Sequence, residues 1–429
     1  MNADMLKSAI WNGSFDEQFL KLYGETSVAR SRYVKAIDEF CNLYGDSDDI
    51  RFFSAPGRTE IGGNHTDHQH GCVLAASVDL DVIAVAAKCE GHIVRIKSAG
   101  YNEDNIDIDS LSAKDNERGR AASLIRGVLY AFRQDAFDVG AFNAYTTSNV
   151  LKGSGLSSSA AFEVLVSNIV NGLFNFGKVG AIRIAKYSQY AEREFFGKPC
   201  GLLDQMASSV GGFTYADFHD PQNPQIEQVS LDIRDFGYTL CVVDTGGNHA
   251  NLTGDYAAIT EECRKISRAL GTDFLRDADE SEFYDKMGEL RKEFGDRAVL
   301  RAFHFFNEEK RVELQREALK KHDFEKFLYF VNESGESSYK YLQNLYSNSA
   351  VNEQGLCLAI AVTKQFLNGR GACRVHGGGF AGTIQCYIPN DCFDEYKAMI
   401  EKIFHKGACV PLLVRPVGGY EIKGEKDEH

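Results

Sequence analysis

The segment Asn149 to Glu163 reads N-V-L-K-G-S-G-L-S-S-S-A-A-F-E. Gly153 and Gly155 let the chain turn tightly, and Ser157, Ser158 and Ser159 put hydroxyls and free amides at a helix start. Unpaired N–H groups and the helix dipole both favour an anion there, the chemistry of a phosphate cradle. The same composition also makes an ordinary serine cap after a flexible turn, so the local pattern leaves both readings open. A second stretch, Ser54 to Gly71, reads S-A-P-G-R-T-E-I-G-G-N-H-T-D-H-Q-H-G. Arg58 brings a fixed positive charge, while His65 and Asp67 offer donors and acceptors of the kind that read sugar hydroxyls. A third stretch, Ala191 to Gln205, carries Glu192 near a helix end and Asp204 at a new helix start, with Pro199 and Gly201 making the turn between them. Each acid alone is more often a surface or cap residue than a catalyst.

Other motifs fail on context. Gly172 to Val179 approaches a Walker A pattern, but Val179 stands where Ser or Thr must meet Mg²⁺, and the stretch closes a helix instead of opening one. Gly377 to Gly382 satisfies G-x-G-x-x-G, yet a strand-like Thr-Ile-Gln-Cys-Tyr-Ile follows where a dinucleotide fold needs a helix. Those glycines fit a close backbone approach to a ligand or another loop. His65, His68 and His70 are near one another, but Gly62, Gly63 and Gly71 make the segment a loop, without metal-ligand spacing.

These residues need elements to hold them. The first fifty residues have helical spacing, with Phe19, Leu22 and Tyr23, then Val34, Ile37, Phe40 and Cys41, on apolar faces. Strands are expected over Asp79 to Ala87, at Ile93 to Ile96 and over Ala141 to Thr147. Helices are expected over Ala121 to Arg133, from Ser157 to about Phe174, over Ile182 to Phe195 and shortly after Gly201. Pro221 and Pro224 form the clearest turn cluster and set the expected domain change, drawn at 1–215 and 216–429. Beyond it come a strand at Tyr238 to Val243, helices at Tyr256 to Leu270, Asp296 to Lys321 and Leu356 to Leu367, and strands at Arg374-Val375 and Thr383 to Ile388. The class is α+β, with no regular βαβ series and no internal repeat.

Composition narrows the partners. A chain of 429 residues with 44% hydrophobic and 25% charged residues is globular, with no apolar run to span a bilayer. A net charge of -14 and the lack of a Lys/Arg stripe argue against nucleic acid. Eleven cysteines, never as C-x-x-C, fit reduced thiols in a cytoplasmic protein. Met1 to Trp11 contains Asp4 and has no signal-peptide core, so the N-x-S/T matches at Asn64 and Asn251 and the Lys426 to His429 tail carry no targeting meaning.

The order of the segments is more specific than any one of them. Arg58 then His-Thr-Asp, then G-S-G-L-S-S-S-A, then Ala-Glu with Cys-Gly-Leu-Leu-Asp-Gln, then Gly371 to Gly382 resembles the galactokinase family, within the galactokinase, homoserine, mevalonate and phosphomevalonate kinase superfamily. The resemblance implies a two-lobed fold of mixed sheets and helices, with ATP and sugar in the cleft and the γ-phosphoryl passing to the anomeric hydroxyl of galactose. It makes Asp204 the catalytic aspartate and Arg58 its partner, and makes Ser159 and Glu192 the Mg²⁺ contacts. Gly153, Ser154, Gly155, Leu156, Ser157, Ser158 and Ser159 would hold ATP phosphates, supported by Gly377 to Gly379 from the other lobe. His65, Asp67, Gly201 and Tyr256 match sugar contacts, joined by Asn64 and Glu60. The last two mark a departure: the family writes Asn-Leu-Ile-Gly-Glu before His-Thr-Asp, whereas this chain has Glu60-Ile-Gly-Gly-Asn64. The exchange suggests that Glu60 reaches the sugar in place of the missing acid. A pentose or galacturonate is the alternative substrate, and a sugar- and ATP-sensing regulator the alternative class, although the serine loop and Asp204 are undamaged. Mevalonate or homoserine kinase activity is disfavoured by Arg58 together with His-Thr-Asp.

Overall fold

The computed structural model describes residues 1–151, 155–247 and 252–424. Three helices lead: α1 (Ala3–Trp11), α2 (Asp16–Tyr23) and α3 (Ser27–Tyr44). Strands β1 (Arg51–Gly62), β2 (Cys72–Lys88), β3 (Ile93–Ser98) and β4 (Glu103–Asp107) follow, then α4 (Ala121–Gln134), β5 (Phe142–Ser148), α5 (Ser158–Asn175), α6 (Ala181–Tyr190) and α7 (Leu203–Val210). With β6 (Phe213–Asp217), β7 (Gln225–Val229) and the last strand of the chain, the strands make a mixed eight-stranded sheet. Its β3–β5 pair is parallel and the others antiparallel.

Strand β2 is the spine of this sheet. Its first half pairs with β6 and its second with β5, while β1 runs along its other edge. Side chains alternate across a strand, and here both faces are covered. Val82, Ala84 and Ala86 enter the core shared with α4, α5 and α6, whereas Ile83, Val85 and Ala87 meet α1, α2 and α3. The near-continuous apolar run from Val82 follows from this double burial. Asp81 in the same strand is fully buried and accepts from Arg32 of α3, Arg415, Ser54 and Tyr23, which ties the leading helices and the C-terminal segment to the sheet.

The remaining part opens with β8 (Tyr238–Asp244), then α8 (Thr253–Ala269), α9 (Glu280–Phe294), α10 (Asp296–Lys320), α11 (Phe324–Ser337) and α12 (Gly355–Leu367). Strands β9 (Ala372–Val375) and β10 (Thr383–Pro389), helix α13 (Phe393–Ile403), and strands β11 (Cys409–Leu412) and β12 (Tyr420–Ile422) complete the fold. Strand order β11-β8-β10-β9 forms a second, antiparallel sheet with its own core around Cys241, Val243, Ile384 and Cys386. Strand β12 returns to pair with β1. Two sheets with segregated helices are an α+β arrangement, as the sequence suggests.

The division drawn at 215 and 216 cuts through β6. The Pro221 and Pro224 turn instead joins β6 to β7 within the first sheet, a hairpin between paired strands. Among the elements for which the sequence gives no expectation, β1 matters most to the site: Arg51–Gly62, which leads into the glycine-bounded histidine loop, is an almost wholly buried strand. Among the described residues, no helix is long and apolar enough to cross a membrane.

Candidate active site

Strand β1 delivers two charged side chains to one place. Arg58 and Glu60, two residues apart, share a face of the strand, and β-bulges at Pro56/Arg58 and Glu60/Gly62 re-aim the chain on either side. The Arg58 amide donates to the Leu156 carbonyl at 3.1 Å, and its Nη1 donates to the Gly155 carbonyl. Its Nε donates to Asp204 Oδ1 at 2.7 Å. Asp204 stands in the first turn of α7, where an acid is favoured by the helix dipole. Burial alone would push the Asp204 carboxyl up, but Arg58, first by charge and then by hydrogen bond, with Ser157 and Lys198, holds it below the ordinary aspartate range.

Ser157 precedes α5 in the left-handed region, at φ 56°, and its side chain makes no capping bond to its own helix. The hydroxyl donates instead to Asp204 Oδ2. The ordinary serine-cap alternative therefore does not describe this residue: a strained backbone aims its side chain across the cleft. Gly155, Leu156, Ser158 and Ser159 lie in the described part of the loop, whereas Gly153, Ser154, His249 and Asn251 lie outside the described residues.

The sugar-type residues follow β1 in a tight turn and a short 3₁₀ segment, Asp67–Gln69. The neutral imidazole of His65 has its Nε2 2.9 Å from the Gly378 carbonyl, which can only accept, so Nδ1 is left as an acceptor. Burial, followed by the neighbouring His68, drives the His65 pKa down to about 4 and keeps the ring neutral near pH 7. Asp67 packs against Gly201: a Cβ at Gly201 would sit 2.1 Å from Asp67 Oδ2, so only glycine fits beside that carboxylate. Tyr256, in α8, donates from its hydroxyl to the Gly379 carbonyl at 2.8 Å and places its ring 6.4 Å from His65.

Asn64 behaves differently from the expected sugar contact. Its Nδ2 donates to Glu60 Oε1 at 2.7 Å and to the Gly377 carbonyl at 2.8 Å, and its Oδ1 accepts from Asn344 at 2.7 Å and Ser338 at 3.3 Å. An amide has two donors and two acceptor positions, and here all are used within the protein. Glu60 lines the cavity, with Oε1 also accepting from Arg374 Nη2 at 3.1 Å. Burial raises the Glu60 pKa above the ordinary range, against the pull of Arg374 and then Arg58.

Residues without any sequence signal hold this loop from below. Glu308 of α10 accepts from the Gly63 amide at 3.1 Å, and His304 donates to the Asn64 carbonyl at 3.0 Å. Despite its burial, Glu308 is held ionised by Arg311, His304 and Arg374, with a pKa of about 2. Among the described residues, the carbonyls of Gly377, Gly378 and Gly379 take Asn64, His65 and Tyr256, so the run braces the loop after β1 and the start of α8. The flanking His376 and Thr383 are the groups that lie against Gly155.

On the opposite side of Asp204, the expected helix over Ile182 to Phe195 ends at Tyr190 and continues as a π-helical turn, Ala191–Phe196. Such turns recur at functional sites, and this one carries Glu192. Ser159 Oγ lies 3.3 Å from Glu192 Oε1, which also meets Lys198 Nζ at 2.8 Å, while Gln205 donates to Oε2 at 2.7 Å. Gln205 also donates, at 3.1 Å, to Glu163, a fully buried acid of α5 whose pKa burial drives well up. Arg58, Glu60, His65, Asp67, Asp204 and Tyr256 line one cavity of about 1140 Å³. A cation, an ionised carboxylate and a neutral imidazole around that space, with a serine-rich helix start behind it, can orient a polyol and move a phosphoryl group onto it.

Comparison with known proteins agrees with this geometry. Residues 38–88 match the galactokinase galactose-binding signature, and residues 123–212 match the N-terminal domain of GHMP kinases. A galactokinase of Streptomyces coelicolor is 30% identical over 276 residues, covering 64% of this chain and 70% of that one. One from Thermotoga petrophila is 28% identical over 85% of this chain and 96% of its own length. The crystal structure of Lactococcus lactis galactokinase complexed with galactose superposes with a TM-score of 0.76, at 21% identity over 89% of this chain and 97% of that one. Mevalonate kinase of Methanococcus jannaschii shares the fold more distantly, with a TM-score of 0.60, 13% identity and coverage of 86% and 99%. Signature, relatives and fold converge, and the chain belongs to the galactokinase family.

Proposed function

We propose that this protein transfers the γ-phosphoryl group of ATP to the anomeric hydroxyl of galactose. The observation that carries the reading is the Arg58–Asp204 pair, 2.7 Å apart, set between the serine loop and the cavity lined by His65, Asp67 and Tyr256. Asp204 is the carboxylate that accepts the proton of the attacking hydroxyl as its oxygen bonds to the γ-phosphorus and the bond from that phosphorus to the bridging oxygen breaks, ADP leaving with the electron pair. Arg58 keeps that carboxylate ionised and steadies the charge that builds on the transferring group. His65, through the acceptor Nδ1, and Asp67 orient the ring hydroxyls, with Gly201 leaving room for Asp67 and Tyr256 forming a wall.

Gly153 to Ser159 are the residues that would hold the ATP phosphates. Ser159 and Glu192 fit Mg²⁺: both offer oxygen to a hard cation, and the Lys198 ammonium already stands 2.8 Å from Glu192 Oε1, so a cation is favoured at that carboxylate. When bound there, Mg²⁺ would supply charge neutralisation on the phosphate oxygens. Glu60 is read as the acid of the sugar site and Asn64 as its brace, since Asn64 has no hydrogen-bonding capacity left over. In the same reading, the N-terminal lobe runs through β7 and takes back β12, and the C-terminal lobe begins with β8.

The test is an ADP-release assay over a panel of hexoses and pentoses, with the phosphorylated product identified. Turnover of galactose to the 1-phosphate is expected. No turnover with any sugar, or phosphate at another hydroxyl, would overturn the assignment.

A further inference from the structure

The cavity that contains the acceptor residues extends well past them along α8. Its volume of about 1140 Å³ exceeds the ~300–1,000 Å³ that houses most small ligands, and a single hexose needs less still. Tyr256 marks the inner part. Arg264 and Arg268 line the same cavity and lie about 12 and 18 Å further along the helix axis.

Their charge is uncompensated, unlike that of neighbouring cations. Toward α10, Glu262 takes both Arg297 and Arg301, the latter at 2.8 Å. On the cavity side, Lys265 pairs with Glu261 at 2.9 Å. Among the described residues, no carboxylate lies within 4.0 Å of Arg264 or Arg268. The inner wall is the reverse, with Glu60, Asp67 and Asp204 around Arg58. In a chain of net charge -14, a cavity that is acidic within and basic at its outer wall is a local inversion of the molecule's field. Arg264 and Arg268 are exposed on the same helix one turn apart, and a guanidinium is the side chain that meets an oxyanion with two donors at once.

We propose that Arg264, the nearer of the two, with Arg268 adding its charge from one turn behind, forms an anion subsite that receives a sulfate or phosphate ester carried on the far side of a galactose acceptor, away from the hydroxyl at Asp204. The proposal rests on the cavity being the acceptor site. It adds a substrate class, acidic galactose esters, to the neutral sugar.

Calorimetric titration of the full-length protein with galactose, galactose 6-sulfate and inorganic sulfate, without nucleotide, tests it. The 6-sulfate is expected to bind about tenfold more tightly than galactose at low salt, with the advantage shrinking as ionic strength rises. The double variant Arg264→Gln/Arg268→Gln should lose that tenfold and bind galactose within about twofold of the parent. Inorganic sulfate should compete with the ester and leave galactose binding unchanged; a subsite for free anion alone would show as sulfate binding with no gain for the ester, and would overturn the substrate claim. Exclusion of the ester, or equal weakening of both sugars in the double variant, would also overturn it. ADP release measured alongside separates the two readings: ester binding through the arginines without phosphorylation of either sugar leaves the subsite standing and removes the kinase assignment.

Discussion

Arg58 Nε donates to Asp204 Oδ1 at 2.7 Å, although the two residues are 146 positions apart, one on strand β1 and the other in the first turn of helix α7. The same guanidinium reaches the Gly155 carbonyl through Nη1, so one side chain joins strand β1, the serine loop and helix α7. A planar fork can serve both partners at once, while an ammonium is a single point charge.

Arg58→Lys is therefore expected to lower kcat by about a hundredfold or more, the scale for removing one preorganised donor at a developing charge. The Michaelis constant for galactose should change little, because Arg58 acts on Asp204 and the transferring group. Steady-state kinetics check this, and a change confined to the Michaelis constant would contradict it.

Gly201→Ala should damage sugar use without unfolding the protein. The new methyl would meet Asp67 Oδ2 at 2.1 Å, and that oxygen is the far end of a movable side chain. Asp67 would rotate away, and a displacement of about 1 Å at a positioning group costs about a hundredfold in kcat/KM. Thermal melting should stay close to that of the parent.

Glu60→Gln tests the exchanged acid. We expect the Michaelis constant for galactose to rise about tenfold, the equivalent of one hydrogen bond to a charged group, and that for ATP to stay within about twofold. Arg374 keeps the Ile61 carbonyl and an amide oxygen in this variant, and burial already opposes the Glu60 charge, so stability should fall by no more than about 1 kcal/mol. An unchanged galactose constant would remove Glu60 from the sugar site.

Glu308 provides a pH test. Its pKa of about 2 lies below the ordinary value of 4.5, so its stabilisation is present above pH 4.5 and is lost as pH falls toward 2. Glu308→Gln should cost about 3 kcal/mol at neutral pH, from a shift of roughly two and a half pH units. Urea denaturation at stepped pH should show the gap between parent and variant closing below pH 4.5. A gap that widens on acidification would reverse the assigned sign.

The legible parts of this protein were those with local signals. Period-3.6 apolar spacing marks α4 and α5, and the β-branched run after Asp81 marks β2, because both follow from burial of one face or two. Asp204, Arg58, His65 and Asp67 were legible through motif order, and the fold brings all four to one cavity. Strand β1 was not: only its pairing with β2 and β12 reveals a strand there, in which Gly57 and Gly62 serve bulges and close approach. Likewise, the split of the α6 region at Tyr190 into a π-helical turn leaves no compositional trace. Glu308, His304 and Asn344 sit in ordinary helical or connecting sequence, and their roles arise from contacts with Gly63 and Asn64 more than two hundred positions away. Asn64 shows the converse, a residue singled out by motif whose amide is taken up by partners the motif does not contain.

The most direct test of the central claim is turnover by Asp204→Asn with galactose and MgATP, measured beside ATP binding. The account predicts a loss of kcat of about a thousandfold or more, with nucleotide affinity within about threefold, since an amide can fill the space but cannot accept the proton. Turnover near the parent rate would contradict it.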